Sequence, residues 1–254
     1  MEQRALEGVR VLIADTKAET GIAAGEEAER IINETIGRQG SVRLVIGAAN
    51  SQVEVIGRLA SSGTVDWSKV EVFHMDEYVG ISASHSASFR RWIDEHLVDL
   101  VSPGMVHYLK GDAPDMEEEA CRYAKLIDEK PLDVVLLGFG ENGHIAFNEP
   151  DVADFQDRYT VKIVALDEVS RKQQVGEGHF ANLAEVPMHA LTLTCPALFS
   201  GNNWIVTVPE RRKAEAVRRA FADPISEDCP ATLVRRHQRV AVFLDLDSAS
   251  LLEP

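Results

Sequence analysis

Two segments carry residue types that move protons near neutral pH: FHMDEY from Phe73 to Tyr78, and GFGENGHIAFNEP from Gly138 to Pro150. In the second, His144 follows the glycine-rich turn Gly138-Phe139-Gly140-Glu141-Asn142-Gly143, with Asn142 two residues before it and Glu149 five residues after. An imidazole with an ordinary pKa of about 6.5 is a natural proton shuttle, and a nearby carboxylate or amide can fix its tautomer. In the first, Asp76 and Glu77 follow an apolar run. A partly desolvated carboxylate there makes a carbon-acid base, because burial lifts its pKa toward working pH. Plainer readings stand beside both: a buried histidine capping a turn, and a solvated or helix-capping acid pair. The glycine-rich turn is no Walker loop, which needs Lys followed by Ser or Thr, and it lacks dinucleotide-fingerprint spacing.

A third segment suits an anion. The loop Gly47-Ala48-Ala49-Asn50-Ser51-Gln52 joins a predicted strand to a predicted helix, and its small residues leave backbone N–H groups open where the helix begins. Orphan donors and the helix dipole attract phosphate to such a place. Gly47, Ala48, Asn50 and Ser51 are therefore candidate binding residues. Lys213, at the start of a later helix, offers a fixed positive charge. Arg211 and Arg212 read the same way, and the alternative is that all three are simply solvated charges.

These residues need elements to hold them. Apolar runs begin at Val9, Val42, Val70, Asp133, Trp204 and Val240. Their continuous hydrophobicity suits strands buried on both faces of a mostly parallel sheet. Helical periodicity fills the intervals: Gly21 to Ile36, with Ala24, Ala28, Ile31, Ile32 and Ile36 on one face, then Val53 to Ser61, Ser86 to Val98, Met116 to Asp128 and Arg212 to Phe221. The expectation is one α/β domain over residues 1–254, a three-layer α/β/α arrangement around a Rossmann-like sheet. Ligands in such sheets bind beyond the carboxyl ends of the strands, where all the segments above fall. The polar stretch from Asp151 to Asn182 has no strong core pattern and reads as a lid.

Composition narrows the partners. Apolar residues make up 45% of the chain and charged residues 26%, as in ordinary globular proteins. A net charge of −15 argues against nucleic acid and anionic membranes, and no run reaches the length of a membrane span. Cys121, Cys195 and Cys229 are far apart and lack metal-ligand spacing, so they read as buried thiols in the cytoplasm. No metal or organic cofactor is expected. A homo-oligomer is left open.

In their order along the chain, these segments resemble the glucosamine-6-phosphate deaminase and 6-phosphogluconolactonase superfamily over nearly the whole sequence. MDEY at Met75 to Tyr78 and GHIAFNEP at Gly143 to Pro150 resemble the deaminase branch. A lactonase more typically shows an Asp-Glu-Arg segment and a GHTASLFP-like run. The resemblance implies that Asp76 is the base moving a proton between C2 and C1 of an open-chain amino sugar 6-phosphate. It implies that His144 opens the ring, that Glu149 supports the histidine, and that Lys213 binds phosphate. Aldose–ketose isomerisation and loss of ammonia would follow. Three departures are visible. Asn142 replaces an aspartate, Ala49 to Gln52 replace Gly-Ser-Thr-Pro, and Leu166 to Phe180 only loosely match an arginine-bearing segment that reaches the phosphate, with Arg171 the nearest arginine. The alternatives are a lactonase-like hydrolase, with His144 activating water, and a non-catalytic sugar-phosphate-binding regulatory protein.

Overall fold

The computed structural model describes residues 1–253. Its strands are β1 (Glu2–Leu6), β2 (Val9–Ala14), β3 (Val42–Ile46), β4 (Val70–His74), β5 (Asp76–Tyr78), β6 (Met105–His107), β7 (Val134–Leu137), β8 (Val161–Ala165), β9 (His189–Leu193), β10 (Asn203–Val208) and β11 (Val240–Asp245). Its helices are α1 (Lys17–Gln39), α2 (Val53–Ala60), α3 (Phe89–Ile93), α4 (Asp99–Val101), α5 (Met116–Asp128), α6 (Glu168–Gly176), α7 (Cys195–Phe199) and α8 (Ala214–Ala222). All six apolar runs of the sequence form strands of one sheet, in the order β1-β2-β11-β10-β7-β3-β4-β6. Only the edge strand β1 runs antiparallel to its neighbour.

Strand side chains alternate between two apolar layers, which is why the runs read as continuously hydrophobic. Leu44, Ile46, Leu136, Ile205 and Phe243 face the layer containing Ala24, Ala28 and Ile32 of α1, Val55, Ile56 and Leu59 of α2, and Phe89 and Ile93 of α3. Val45, Leu137, Val206 and Leu244 face the layer containing Tyr123 and Ile127 of α5, Leu198 of α7, and Val217 and Phe221 of α8. The architecture is α/β/α.

Local signals set the helix ends. Thr16 caps α1 by accepting from Glu19 N at 3.2 Å, and Gly40 closes it in the left-handed region at φ 85°. α1 then lies unusually close to α2: a Cβ on Gly21 would sit 2.3 Å from Glu54 Cβ. The helix expected over Ser86 to Val98 begins at Phe89 and passes into a π-turn over Asp94–Val98.

The stretch from Asp151 to Asn182 is more structured than its composition suggests. It contains β8, which joins β9 and β5 in a second, antiparallel sheet of order β5-β9-β8, and it contains α6. Its core-facing residues are few because β8 is buried mainly through Val161 and Val164. Cys195 and Cys229 are buried, but Cys121 on α5 is exposed, a correction to the expectation of three buried thiols. Among the described residues, no helix is long and apolar enough to cross a membrane.

Candidate active site

Four neighbouring strands of the sheet, β10, β7, β3 and β4, end together. The chain continues from them into Pro209–Lys213, the Gly138 turn, the Gly47 loop and Met75-Asp76 respectively. These four segments line one cleft of about 730 Å³, part of it open to solvent. β3 leads through α2 to β4 on one side, while β10 and β11 lie on the other, so the cleft sits where the winding of the sheet changes direction.

Asp76 begins β5, where pairing with Thr192 of β9 turns the chain across the strand ends. Its carboxylate is 7% exposed, and burial, reinforced by the charge of Glu77, pushes its pKa up to about 8. Glu77 points the other way. It accepts from Ser88 Oγ at 2.7 Å, Tyr78 N at 3.0 Å, Arg90 N at 3.1 Å and Phe89 N at 3.2 Å, stapling β5 to the start of α3. The two acids are thus separated in role: one fixed by hydrogen bonds, the other left facing the cleft.

His144 is held from behind. Its Nδ1 lies 3.0 Å from Glu149 Oε1 and 3.1 Å from Ser170 Oγ. Ser170 also donates to Glu149 Oε1. Burial pushes the Glu149 carboxyl up, but the charge of His144 and hydrogen bonds from His144, Ser170 and Asn142 hold it below the ordinary range. With Nδ1 engaged, Nε2 is the ring nitrogen left for a ligand. Gly140 is required here, because a Cβ at that position would lie 2.2 Å from the imidazole.

Asn142 is a connector. Its Nδ2 donates to Glu149 Oε2 at 2.5 Å and to Asp167 Oδ2 at 3.3 Å, while its Oδ1 accepts from His144 N at 3.0 Å. A negative charge absent at position 142 is therefore present at Asp167, the residue that caps α6 by accepting from Ser170 N at 2.6 Å.

At the far end, Gly47, Ala48, Asn50 and Ser51 line the cleft beside Lys213. Lys213 is 6% exposed, burial pushes its ammonium down to about 8, and no ion pair among the described residues involves it. Arg171 does not reach this end: its Nη2 donates to the carbonyls of Leu183 at 2.6 Å and Val186 at 3.1 Å, tying α6 to the following loop. The helical turn places Gln173, Gln174 and Glu177 in the cleft instead. Sequence reasoning missed Asp167, Ser170, Glu177 and His179. An N-cap aspartate three residues before a serine would have signalled the start of α6, but nothing in the sequence says which face of that helix meets the cleft. Among the described residues, no group of three or more His, Cys, Asp or Glu side chains is placed to hold a metal ion.

A mostly parallel α/β/α sheet thus carries, at its switch point, a buried, unpartnered carboxylate and a carboxylate-backed histidine, an arrangement suited to acid–base chemistry on a small polar ligand. Comparison with known proteins supplies the lineage. Residues 15–243 match the family of glucosamine-6-phosphate isomerases/6-phosphogluconolactonase, and the chain belongs to that family. A glucosamine-6-phosphate deaminase of an Exiguobacterium species is 34% identical over 95% of this chain and 91% of its own length. That of Exiguobacterium sibiricum is 37% identical over 74% of this chain and 73% of its own. Among solved structures, a monomeric glucosamine-6-phosphate deaminase superposes with a TM-score of 0.86 at 28% identity, covering 95% of this chain and 99% of that one. The 6-phosphogluconolactonase of Shewanella baltica shares the fold, with a TM-score of 0.75 at 21% identity over 92% of this chain and 97% of that one.

Proposed function

We propose that the protein isomerises and deaminates an amino sugar 6-phosphate of the glucosamine-6-phosphate kind, giving a ketose 6-phosphate and ammonia. The observation that carries this reading is the placement of Asp76, buried and without a hydrogen-bond partner among the described residues, in the same cleft as the His144–Glu149 pair. His144 Nε2 delivers a proton to the ring oxygen as the C1–O bond breaks and the anomeric hydroxyl gives its proton to water, and Glu149 balances the imidazolium charge as it forms and decays. Asp76 removes the C2 proton of the open aldose. The C2–H electron pair becomes the C1=C2 bond of an enolamine, and O1 takes a proton from water. Asp76 then returns its proton to C1, leaving a C2 imine that water hydrolyses to the ketose and ammonia.

A carboxylic acid with a pKa of about 8 suits this task better than an ordinary aspartate, because base strength is matched to a weakly acidic C–H. Lys213 and the Gly47–Ser51 loop take the phosphate. Each proton transfer is assigned to a side chain or water, so the scheme uses no cofactor. A lactonase reading needs only one base and leaves Asp76 unemployed. The closing element in this reading is α6, within the 151–182 stretch, because Ser170 and Gln174 enter the site from it. Three cysteines without disulfides fit a reducing compartment such as the cytoplasm.

The test is ammonia release from a panel of phosphorylated hexosamines. Turnover of at least one is expected, lowered by about 10² to 10⁴ in Asp76→Asn and in His144→Gln. Rapid lactone hydrolysis without ammonia release would replace this reading with the hydrolase.

A further inference from the structure

The far end of the cleft is poor in free positive charge. Glu177, just beyond α6, lines it with a side chain only 5% exposed. Its Oε1 accepts from Arg212 Nη1 at 2.7 Å and from Gln173 Nε2 at 2.8 Å, and its Oε2 lies 3.5 Å from His179 Nε2. Arg212 is also bound by Glu210 at 2.7 Å and Glu141 at 3.1 Å, so its guanidinium is already committed to three carboxylates. Glu210 is in turn paired with Lys17 at 2.8 Å. Lys17, Arg212 and Lys213 thus face Glu141, Glu177 and Glu210, and this end is electrically neutral before a ligand enters.

A phosphate dianion seated on Lys213 would lie beside the buried Glu177 carboxylate, where like charges repel far more strongly than in water. Arg212 Nη2 is not engaged among the described residues and can still reach such a group, but the charge of that guanidinium is already offset by three carboxylates. A hydroxyl or a singly charged group meets no such penalty, since the amide of Asn50, the hydroxyl of Ser51 and Lys213 can all hydrogen-bond to it.

We infer that Glu177 is a specificity-determining residue that weakens the grip of this site on a terminal phosphate dianion, so that amino sugars without phosphate are substrates as well. The inference rests on the isomerisation and deamination reading for its turnover assay and on phosphate binding for its independent check.

The experiment compares kcat/KM for ammonia release from glucosamine 6-phosphate and from glucosamine, in the wild type and in Glu177→Gln and Glu177→Arg. In the wild type the phosphorylated sugar is expected to be favoured by no more than about a hundredfold, since one free cation serves it. In Glu177→Gln the preference should rise by about tenfold or more, and further in Glu177→Arg. A wild-type preference above about ten-thousandfold would overturn the inference even if neither variant folds. So would a preference that holds steady or falls in folded variants, as expected were Glu177 only a structural staple for Arg212. If no protein releases ammonia from either sugar, the deaminase reading fails instead. Thermal stabilisation by inorganic phosphate then decides the role of Glu177: greater in Glu177→Gln than in the wild type supports it, equal or smaller refutes it.

Discussion

Asp76 owes its basicity to what surrounds it: burial and the neighbouring charge of Glu77 oppose its ionisation, and among the described residues no hydrogen bond compensates. Its pKa is raised on folding from 3.8 to about 8, so the stability linked to its protonated form is complete below about pH 4 and is lost as pH rises toward 8. Asp76→Asn cannot ionise. It should therefore melt at a higher temperature than the wild type at pH 9, with the difference vanishing near pH 4, while activity falls by about 10² to 10⁴. Thermal melts across pH check the first effect and an ammonia assay the second. Lys213 pulls the other way, because its pKa is depressed to about 8 and its charge is needed below that value. The kcat/KM profile for a phosphorylated sugar should be a narrow bell centred near pH 8, and Lys213→Met should remove its alkaline limb. A broad plateau from pH 6 to 8 would contradict the assignment of Asp76 as base. At this scale the sequence was informative where spacing along the chain matters, as between His144 and Glu149. It was uninformative where a helix must be rotated to know which side chains enter: Arg171 turns toward Leu183 and Val186 while Glu177 lines the cleft.

α6 is the element on which the site depends most. Ser170 joins His144 and Glu149 from a helix far away in sequence, so Ser170→Ala should lower kcat by about tenfold with little change in KM, by loosening the imidazole rather than the substrate. Steady-state kinetics separates the two parameters. At the contact of α1 with α2, Gly21→Ala should destabilise the protein despite a helix-propensity gain of up to about 1 kcal/mol, because the added methyl would lie 2.3 Å from Glu54 Cβ and force the two helices apart. Denaturant unfolding measures the sign. Six of the eight strands of the main sheet were legible because burial on both faces leaves an unbroken apolar run. β5 and β9 were not, since Asp76, Glu77 and Thr192 put buried polar residues where a strand pattern would show apolar ones.

Across the whole molecule, a net charge of −15 sets a repulsive field against the anionic substrate this cleft is read to take. Added salt screens that field, so kcat/KM for a phosphorylated hexosamine should rise modestly between low and physiological ionic strength, the reverse of an electrostatically steered enzyme. The α/β/α layering and the placement of the cleft followed from strand-helix alternation and the strand-end rule. The neutral far end did not, because it arises from four segments that meet only in the folded chain. The most direct test of the catalytic assignment is turnover of glucosamine 6-phosphate in deuterated water by the wild type and Asp76→Asn, with ammonia and the ketose C1 position both followed. The expected result from the wild type is stoichiometric ammonia and ketose 6-phosphate whose C1 carries the substrate's C2 hydrogen, with solvent deuterium entering there only by exchange on Asp76, and about a hundredth or less of either product from a folded Asp76→Asn protein. Ammonia release by Asp76→Asn within about tenfold of the wild type would contradict it.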